Sequence, residues 1–290
     1  MAPRLFVFGM GYSALALARL ARSEGWSAVG TCRTPQGAEA LRAQGVEPVL
    51  FDGSAPIDAA ALAGVTHLLA SIPPDGPNNG DDPALRHHAA DIAALPGLAW
   101  IGYLSTTSVY GVDDGRTVDE NFPCAPSSAR GQRRLNAERA WQALPLPGHI
   151  FRLSGIYGPG RSIFDTIRAG RAQRIVKPGH AFNRIHVDDI AGTVLASIRH
   201  PAPGRIYNLA DDLPAPSADL VTYACGLLNV EPPPEIGFDA AVLSPMAREF
   251  WADNKRIDNH RIKQELGVGL LHPTYREGLD TIFAAENHKG

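Results

Sequence analysis

Along the first half of the chain, short apolar runs alternate with longer stretches whose apolar positions recur every three or four residues. Residues 5–8 (LFVF), 28–32, 48–51, 67–70, 99–104 and 150–153 form the short runs and predict buried strands. Residues 12–24, 36–44, 83–95 and 127–144 carry the helical spacing. Strands separated by helix-length segments imply right-handed βαβ crossovers, hence an α/β fold built on a Rossmann-type, doubly wound parallel sheet. After residue 153 the texture changes. Short strands at 183–187 and 205–210 mix with helices at 162–169, 188–199, 216–228 and 256–265. The expected organisation is a sheet domain over residues 1–153 and a smaller C-terminal lobe over 154–290, whose later strands return to the sheet. Two polar, proline-punctuated loops, 72–82 and 111–126, follow strands and are expected either to border a ligand cleft or to be plain surface excursions.

The N-terminal apolar stretch superficially resembles a secretory signal, but Gly9-Met10-Gly11 splits it in two, and strand, turn and helix account for it better. No apolar run reaches the ~18 residues of a membrane span. An apolar fraction of 44% with 20% charged residues excludes general disorder. The near-neutral balance, 27 Lys+Arg against 30 Asp+Glu, argues against a nucleic-acid partner. Cys32, Cys124 and Cys225 lie too far apart for a CxxC motif or a disulfide framework. These features together predict a reduced, cytoplasmic protein without a membrane partner. No metal is expected: His87 and His88 point apart on a helix, and the Asp pairs match no EF-hand spacing. Nor is there a GxSxG or P-loop pattern.

Gly9-Met10-Gly11-Tyr12-Ser13-Ala14 has the form GxGxxA between a strand and a helix. The first glycine permits a tight turn, and Gly11 lets the backbone approach a pyrophosphate. Ala14 lets the helix pack closely on the strand, and the helix N-terminus, from Tyr12, offers free N–H groups. The first 153 residues therefore predict a dinucleotide-binding domain, with Gly9, Met10, Gly11, Tyr12 and Ala14 at the cofactor. At the end of the second strand, where an acid would bind the ribose hydroxyls of NAD, the chain has Arg33, a planar charged fork for a 2′-phosphate. NADP(H) is therefore expected over NAD(H). Asp52 closes the third strand, either as an adenine-side carboxylate or as an acid that shapes the turn.

At this point the chain resembles the short-chain dehydrogenase/reductase superfamily, on its extended epimerase/dehydratase side. The resemblance runs nearly end to end. Ser105-Thr106-Thr107-Ser108-Val109-Tyr110-Gly111 is similar to the family's hydroxyl-rich strand end leading into VYG. Arg152 followed by Tyr157-Gly158-Pro159-Gly160 is similar to its R-x-x-x-x-YGPG segment. His186-Val187-Asp188-Asp189 is similar to its HVDD helix start, with Asp188 expected as the helix cap, and Tyr207-Asn208 to its late YN strand. The tail 254–267 and the segment 274–279 fit its C-terminal helices. The resemblance implies a nicotinamide dinucleotide cofactor and a small polar or sugar-like substrate in the cleft, with a homodimer as the assembly to test. Thr106 falls at the family's catalytic Ser/Thr position, although a turn cap explains it equally well. Arg184 and His186 are the substrate-side candidates. Arg184 sits nearer to His186 than the family's phosphate-binding arginine does, and a structural hydrogen bond is the readier role for His186.

One departure matters more. The family's Tyr-x-x-x-Lys pair falls on Arg130 and Arg134, and no tyrosine lies between Tyr110 and Tyr157. A guanidinium holds its proton near neutrality and cannot replace the phenol as a proton shuttle. Arg134 can keep the ribose-binding role, whereas Arg130 is expected to anchor an anionic substrate group. Two functions follow: an oxidoreductase- or epimerase-like enzyme without the usual tyrosine, or an inactive NADP(H)-binding sensor or scaffold.

Overall fold

The computed structural model describes residues 2–75 and 81–287; of the polar loop at 72–82, residues 76–80 lie outside the described residues. The first half contains β1 (Arg4–Phe8), α1 (Tyr12–Ser23), β2 (Ser27–Cys32), α2 (Pro35–Ala43), β3 (Glu47–Leu50), β4 (His67–Ala70), α3 (Pro83–Ala93) and β5 (Trp100–Thr106). It continues with β6 (Thr117–Val118), α4 (Ala129–Gln142) and β7 (Gly148–Leu153). The second half runs β8 (Gly155–Tyr157), α5 (Ile163–Arg168), β9 (Arg174–Val176), β10 (Arg184–His186), α6 (Val187–Arg199) and β11 (Ile206–Leu209). It ends with α7 (Ser217–Leu228), β12 (Glu235–Gly237), α8 (Pro245–Ala252), β13 (Arg256–Ile257), α9 (His260–Leu266) and α10 (Tyr275–Asn287).

Seven strands form one parallel sheet in the order β11-β7-β5-β4-β1-β2-β3, the doubly wound arrangement expected from the alternation. Successive side chains of a strand point to opposite faces, and β1 shows the result. Leu5 and Val7 join Leu17 of α1 and Val194 of α6 on one face, whereas Phe6 and Phe8 join Ile92 of α3 and Trp141 of α4 on the other. A strand covered on both sides reads as an unbroken apolar run. The direction of connection reverses between β1 and β4, which opens a crevice at the C-terminal ends of the strands.

Among the described residues the second half adds three small parallel pairs, β8 with β10, β9 with β12 and β6 with β13. The last of these corrects the helix expected over 256–265. The amides of Arg256 and Asp258 donate to the carbonyls of Arg116 and Val118, both at 2.9 Å, so residues 256–257 are strand. The helix begins only at His260, whose amide donates to Asp258 Oδ1. A second correction concerns α6: its N-cap is His186, whose Nδ1 accepts the Asp188 amide, and Asp188 lies inside the first turn. Among the described residues, no helix is long and apolar enough to cross a membrane.

Candidate functional site

A cavity of about 590 Å³ lies along the C-terminal ends of β1, β2, β3 and β4. Its floor is the glycine turn. Strand β2 holds that turn through two bonds, Gly9 N–H to Thr31 Oγ1 at 2.7 Å and Met10 N–H to the Thr31 carbonyl at 2.9 Å. Gly9 has φ +85°, and a Cβ there would meet Ile72 Cγ1 at 2.7 Å. Gly11 is different: its backbone is extended, and a Cβ would meet nothing closer than the Gly9 carbonyl at 4.0 Å. The α1 helix starts directly after it with no side-chain cap, so the positive end of its dipole faces the cavity. Ala14 is fully buried against the sheet, while the Tyr12 hydroxyl donates to the Pro159 carbonyl at 3.0 Å and joins the turn to the loop after β8.

Arg33 and Asp52 line the same cavity from the ends of β2 and β3. Arg33 is exposed and has no hydrogen-bond or ion-pair partner among the described residues. Asp52 Oδ1 accepts from the hydroxyl and the amide of Ser54 at 2.6 and 2.9 Å, which holds its carboxyl below the usual range. The structure thus brings Gly9, Met10, Gly11, Arg33 and Asp52 to one surface, whereas Tyr12 and Ala14 lie outside its lining.

A second cavity, of about 100 Å³, opens at the ends of β5 and β7, on the other side of the crevice from Arg33. Thr106 and Ser108 line it, and the Thr106 hydroxyl also accepts the Ser108 amide at 3.3 Å, so it caps the short turn as well. Arg130, on the first turn of α4, is exposed and stands over the Phe250 ring at 5.7 Å; Phe250 itself lines the cavity. Arg130 is therefore at the mouth. Arg134 is turned away from both cavities: Nη1 donates to the Leu104 carbonyl at 2.9 Å and to the Tyr103 hydroxyl at 3.2 Å, tying α4 to β5. Beneath them Arg152 pairs with Glu138 at 2.8 Å, both almost wholly buried, and the Ser105 hydroxyl donates to the same carboxylate. Tyr110 donates to Asn208 Oδ1 at 2.6 Å and Tyr157 to the Thr274 carbonyl, so neither phenol reaches the Thr106 cavity.

Arg184 lines an adjoining cavity of about 290 Å³ with Tyr157, Leu220 and Leu279. Its guanidinium is spent on backbone, Nη1 donating to the carbonyls of Phe182 and Ala215 at 3.1 Å each. His186 lines none of these cavities. Its fully buried ring lies 3.8 Å from that of His272, and burial together with that neighbour lowers its pKa to about 4. Its Nδ1 is occupied by the Asp188 amide, and His272 Nδ1 contacts Asp189 Oδ2 at 3.2 Å. Among the described residues, one His/Asp group is compact enough to share a cation: His186, Asp188 and His272.

Two lining residues escaped the sequence reading. Lys255, its side chain 5% exposed, lines the Thr106 cavity, and its Nζ donates to Asp253 Oδ2 at 2.7 Å. Both sit on the segment between α8 and β13; the 254–267 pattern placed Lys255 among the terminal helices and left Asp253 just outside them. The only local signal was the i, i+2 opposition of charge.

No family model matches the chain. Protein YeeZ of Escherichia coli K12 is 31% identical over 287 residues, which is 93% of this chain and 96% of YeeZ. A conserved protein of unknown function from Silicibacter pomeroyi DSS has a solved structure with a TM-score of 0.90 at 49% identity, covering 98% of this chain and 99% of its own. A Methylobacillus flagellatus protein, provisionally described as an NAD-dependent epimerase/dehydratase, has a TM-score of 0.73 at 26% identity, with 99% of both chains covered.

Proposed function

The chain belongs to the family of Escherichia coli YeeZ, within the short-chain dehydrogenase/reductase superfamily, and from that membership we propose that it binds NADP(H) and acts as an oxidoreductase- or epimerase-like enzyme on a small polar substrate. The observation that carries the proposal is Gly11, whose missing side chain leaves the uncapped end of α1 open to the larger cavity. A pyrophosphate fits that place because N–H groups and dipole both favour an anion there. Bound nicotinamide would supply hydride transfer. The protein's part is to hold the adenosine half over Gly9–Ala14, Asp52 and Arg33, and to set the reacting substrate against Thr106.

Arg33, unpaired beside the cavity, supports the preference for a 2′-phosphate. NADP(H) is expected to bind more tightly than NAD(H), and Arg33→Ala to remove about 1.5–3 kcal/mol of that affinity while leaving NAD(H) nearly unchanged. Calorimetric titration of both proteins with both cofactors measures it; equal affinities in the wild type would overturn the preference.

Arg130 acts as an anion anchor at the mouth, its guanidinium carbon 5.7 Å from the centre of the Phe250 ring. Arg134 was expected on the ribose. Its bonds to Tyr103 and Leu104 favour a positioning role for the strand end that carries Thr106. Arg130→Ala should weaken an anionic substrate about 10-fold or more, as for the loss of one charge-assisted bond, and leave NADP(H) affinity unaltered. The reverse pattern would place Arg130 at the cofactor.

The two arginines in the Tyr-x-x-x-Lys positions favour a second reading, a sensor that binds the dinucleotide without turnover. Steady oxidation of NADPH by any screened carbonyl substrate decides against it.

A further inference from the structure

We propose that Lys255 is the proton donor of this site, placed at the reacting oxygen of a carbonyl substrate, aldehyde or ketone. This rests on the dinucleotide reading above and supplies the acid that Arg130 cannot be.

The position comes first. The Thr106 cavity lies at the ends of β5 and β7, beyond the switch point, whereas Arg33 and Asp52 hold the opposite end of the crevice. An extended dinucleotide with its adenosine at Arg33 and its pyrophosphate over Gly11 therefore directs its nicotinamide toward Thr106. Among the residues lining that cavity, Lys255 is the one cation and Asp253 the one carboxylate.

Hydrogen-bonding capacity comes second. An ammonium has three hydrogens. One goes to Asp253 Oδ2, and the other two have no acceptor among the described residues, although the side chain is only 5% exposed. A buried cation with unused donors is costly unless an oxygen ligand completes it. Leu153, Phe182 and Phe250 give the cavity an apolar lining beside that ammonium.

In the reductive direction Lys255 Nζ gives one proton to the substrate oxygen as the carbonyl carbon accepts a hydride. The electron pair of the C=O π bond forms the new O–H bond. The reductant is the reduced nicotinamide dinucleotide, which leaves oxidised. The lysine amine is then re-protonated from water while Asp253 Oδ2 keeps it in place. Thr106 and Ser108 hydroxyls orient the same oxygen.

The chain has four lysines, Lys177, Lys255, Lys263 and Lys289, so selective ¹³C labelling at lysine Cε gives four NMR resonances, and Lys255→Met identifies one of them. Saturating NADP⁺ is expected to move the Lys255 resonance, whereas 2′-phospho-ADP-ribose, which lacks the nicotinamide, leaves it in place. In a screen of small aldehydes and ketones with NADPH, Lys255→Met and Lys255→Arg should both lower kcat about 100-fold or more, with NADP(H) affinity changed less than twofold. Arginine restores the charge without a transferable proton, so a merely structural ion pair predicts rescue by Lys255→Arg. That rescue overturns the proposal. So does a Lys255 resonance that ignores a bound dinucleotide, or one that moves while no carbonyl compound is reduced. If calorimetry detects no dinucleotide binding at all, the proposed function itself fails and this inference with it.

Discussion

Gly11→Val is expected to yield a folded protein whose affinity for NADP(H) and NAD(H) is reduced at least 100-fold, a loss of about 2.7 kcal/mol or more. The local geometry separates the two effects. The Gly11 backbone is extended, at φ −88° and ψ −165°, a region β-branched residues occupy readily. A Cβ there would meet no atom beyond its chain neighbours nearer than 4.0 Å, and the side chain would project where a pyrophosphate must approach the first N–H groups of α1. The cost to folding is limited to a poorer N-cap, within about 1 kcal/mol. Gly9→Val makes the opposite case: with φ +85° and Ile72 Cγ1 in the way, it should disturb the turn itself. Thermal unfolding and calorimetric titration of the two variants measure the difference. Undiminished affinity in folded Gly11→Val would move the nucleotide to another site.

Glu138→Ala should destabilise the protein by about 3–5 kcal/mol, the usual cost of leaving a buried charge without its partner. Arg152 Nε and Nη2 both bond to Glu138, Nη1 has no partner in the interior, and the Ser105 hydroxyl depends on the same carboxylate. Truncation strands Arg152 Nε and Nη2 and the Ser105 hydroxyl between α4 and the ends of β5 and β7. A Glu138→Leu, Arg152→Met double variant removes both charges together and should recover most of the loss, because paired buried ions add little net stability over apolar residues of similar volume. Urea unfolding of wild type, single and double variants forms the necessary cycle. A single variant within about 1 kcal/mol of wild type would show that solvent reaches the pair.

The inner sheet strands were legible because burial on both faces leaves an uninterrupted apolar run, as in LFVF of β1 and HLLA of β4, whereas β3, expected as a buried strand, is an edge strand with Leu50 exposed. The glycine turn was legible because its residues are dictated by backbone approach. Of the two- and three-residue strands only β10 matched an expected one, at 183–187; β6, β8, β9, β12 and β13 are too short to show any period, and each is defined by a partner distant in sequence. That is why 256–257 passed for helix. It is also why Lys255 was missed: its place at Thr106 is set by docking contacts, among them Asn183 Nδ2 on the Lys255 carbonyl and His180 Nε2 on the Asp253 carbonyl. The pairing of Arg152 with Glu138 was hidden for the same reason, although Arg152 stood inside a motif that had been singled out.

The β6–β13 clasp also bears on the order in which the molecule is made. Every described residue lining the larger cavity lies before position 76, whereas Lys255 and the strand that fixes it come near the end of the chain. Loop-closure entropy grows only slowly with length, about 0.6 kcal/mol per doubling, so this distant pairing costs the finished protein little. Contacts so far apart in sequence nevertheless form late. A nascent chain emerging from the ribosome would thus complete its nucleotide cradle long before its proton donor, and cofactor captured at that stage would stabilise the half-finished sheet by mass action.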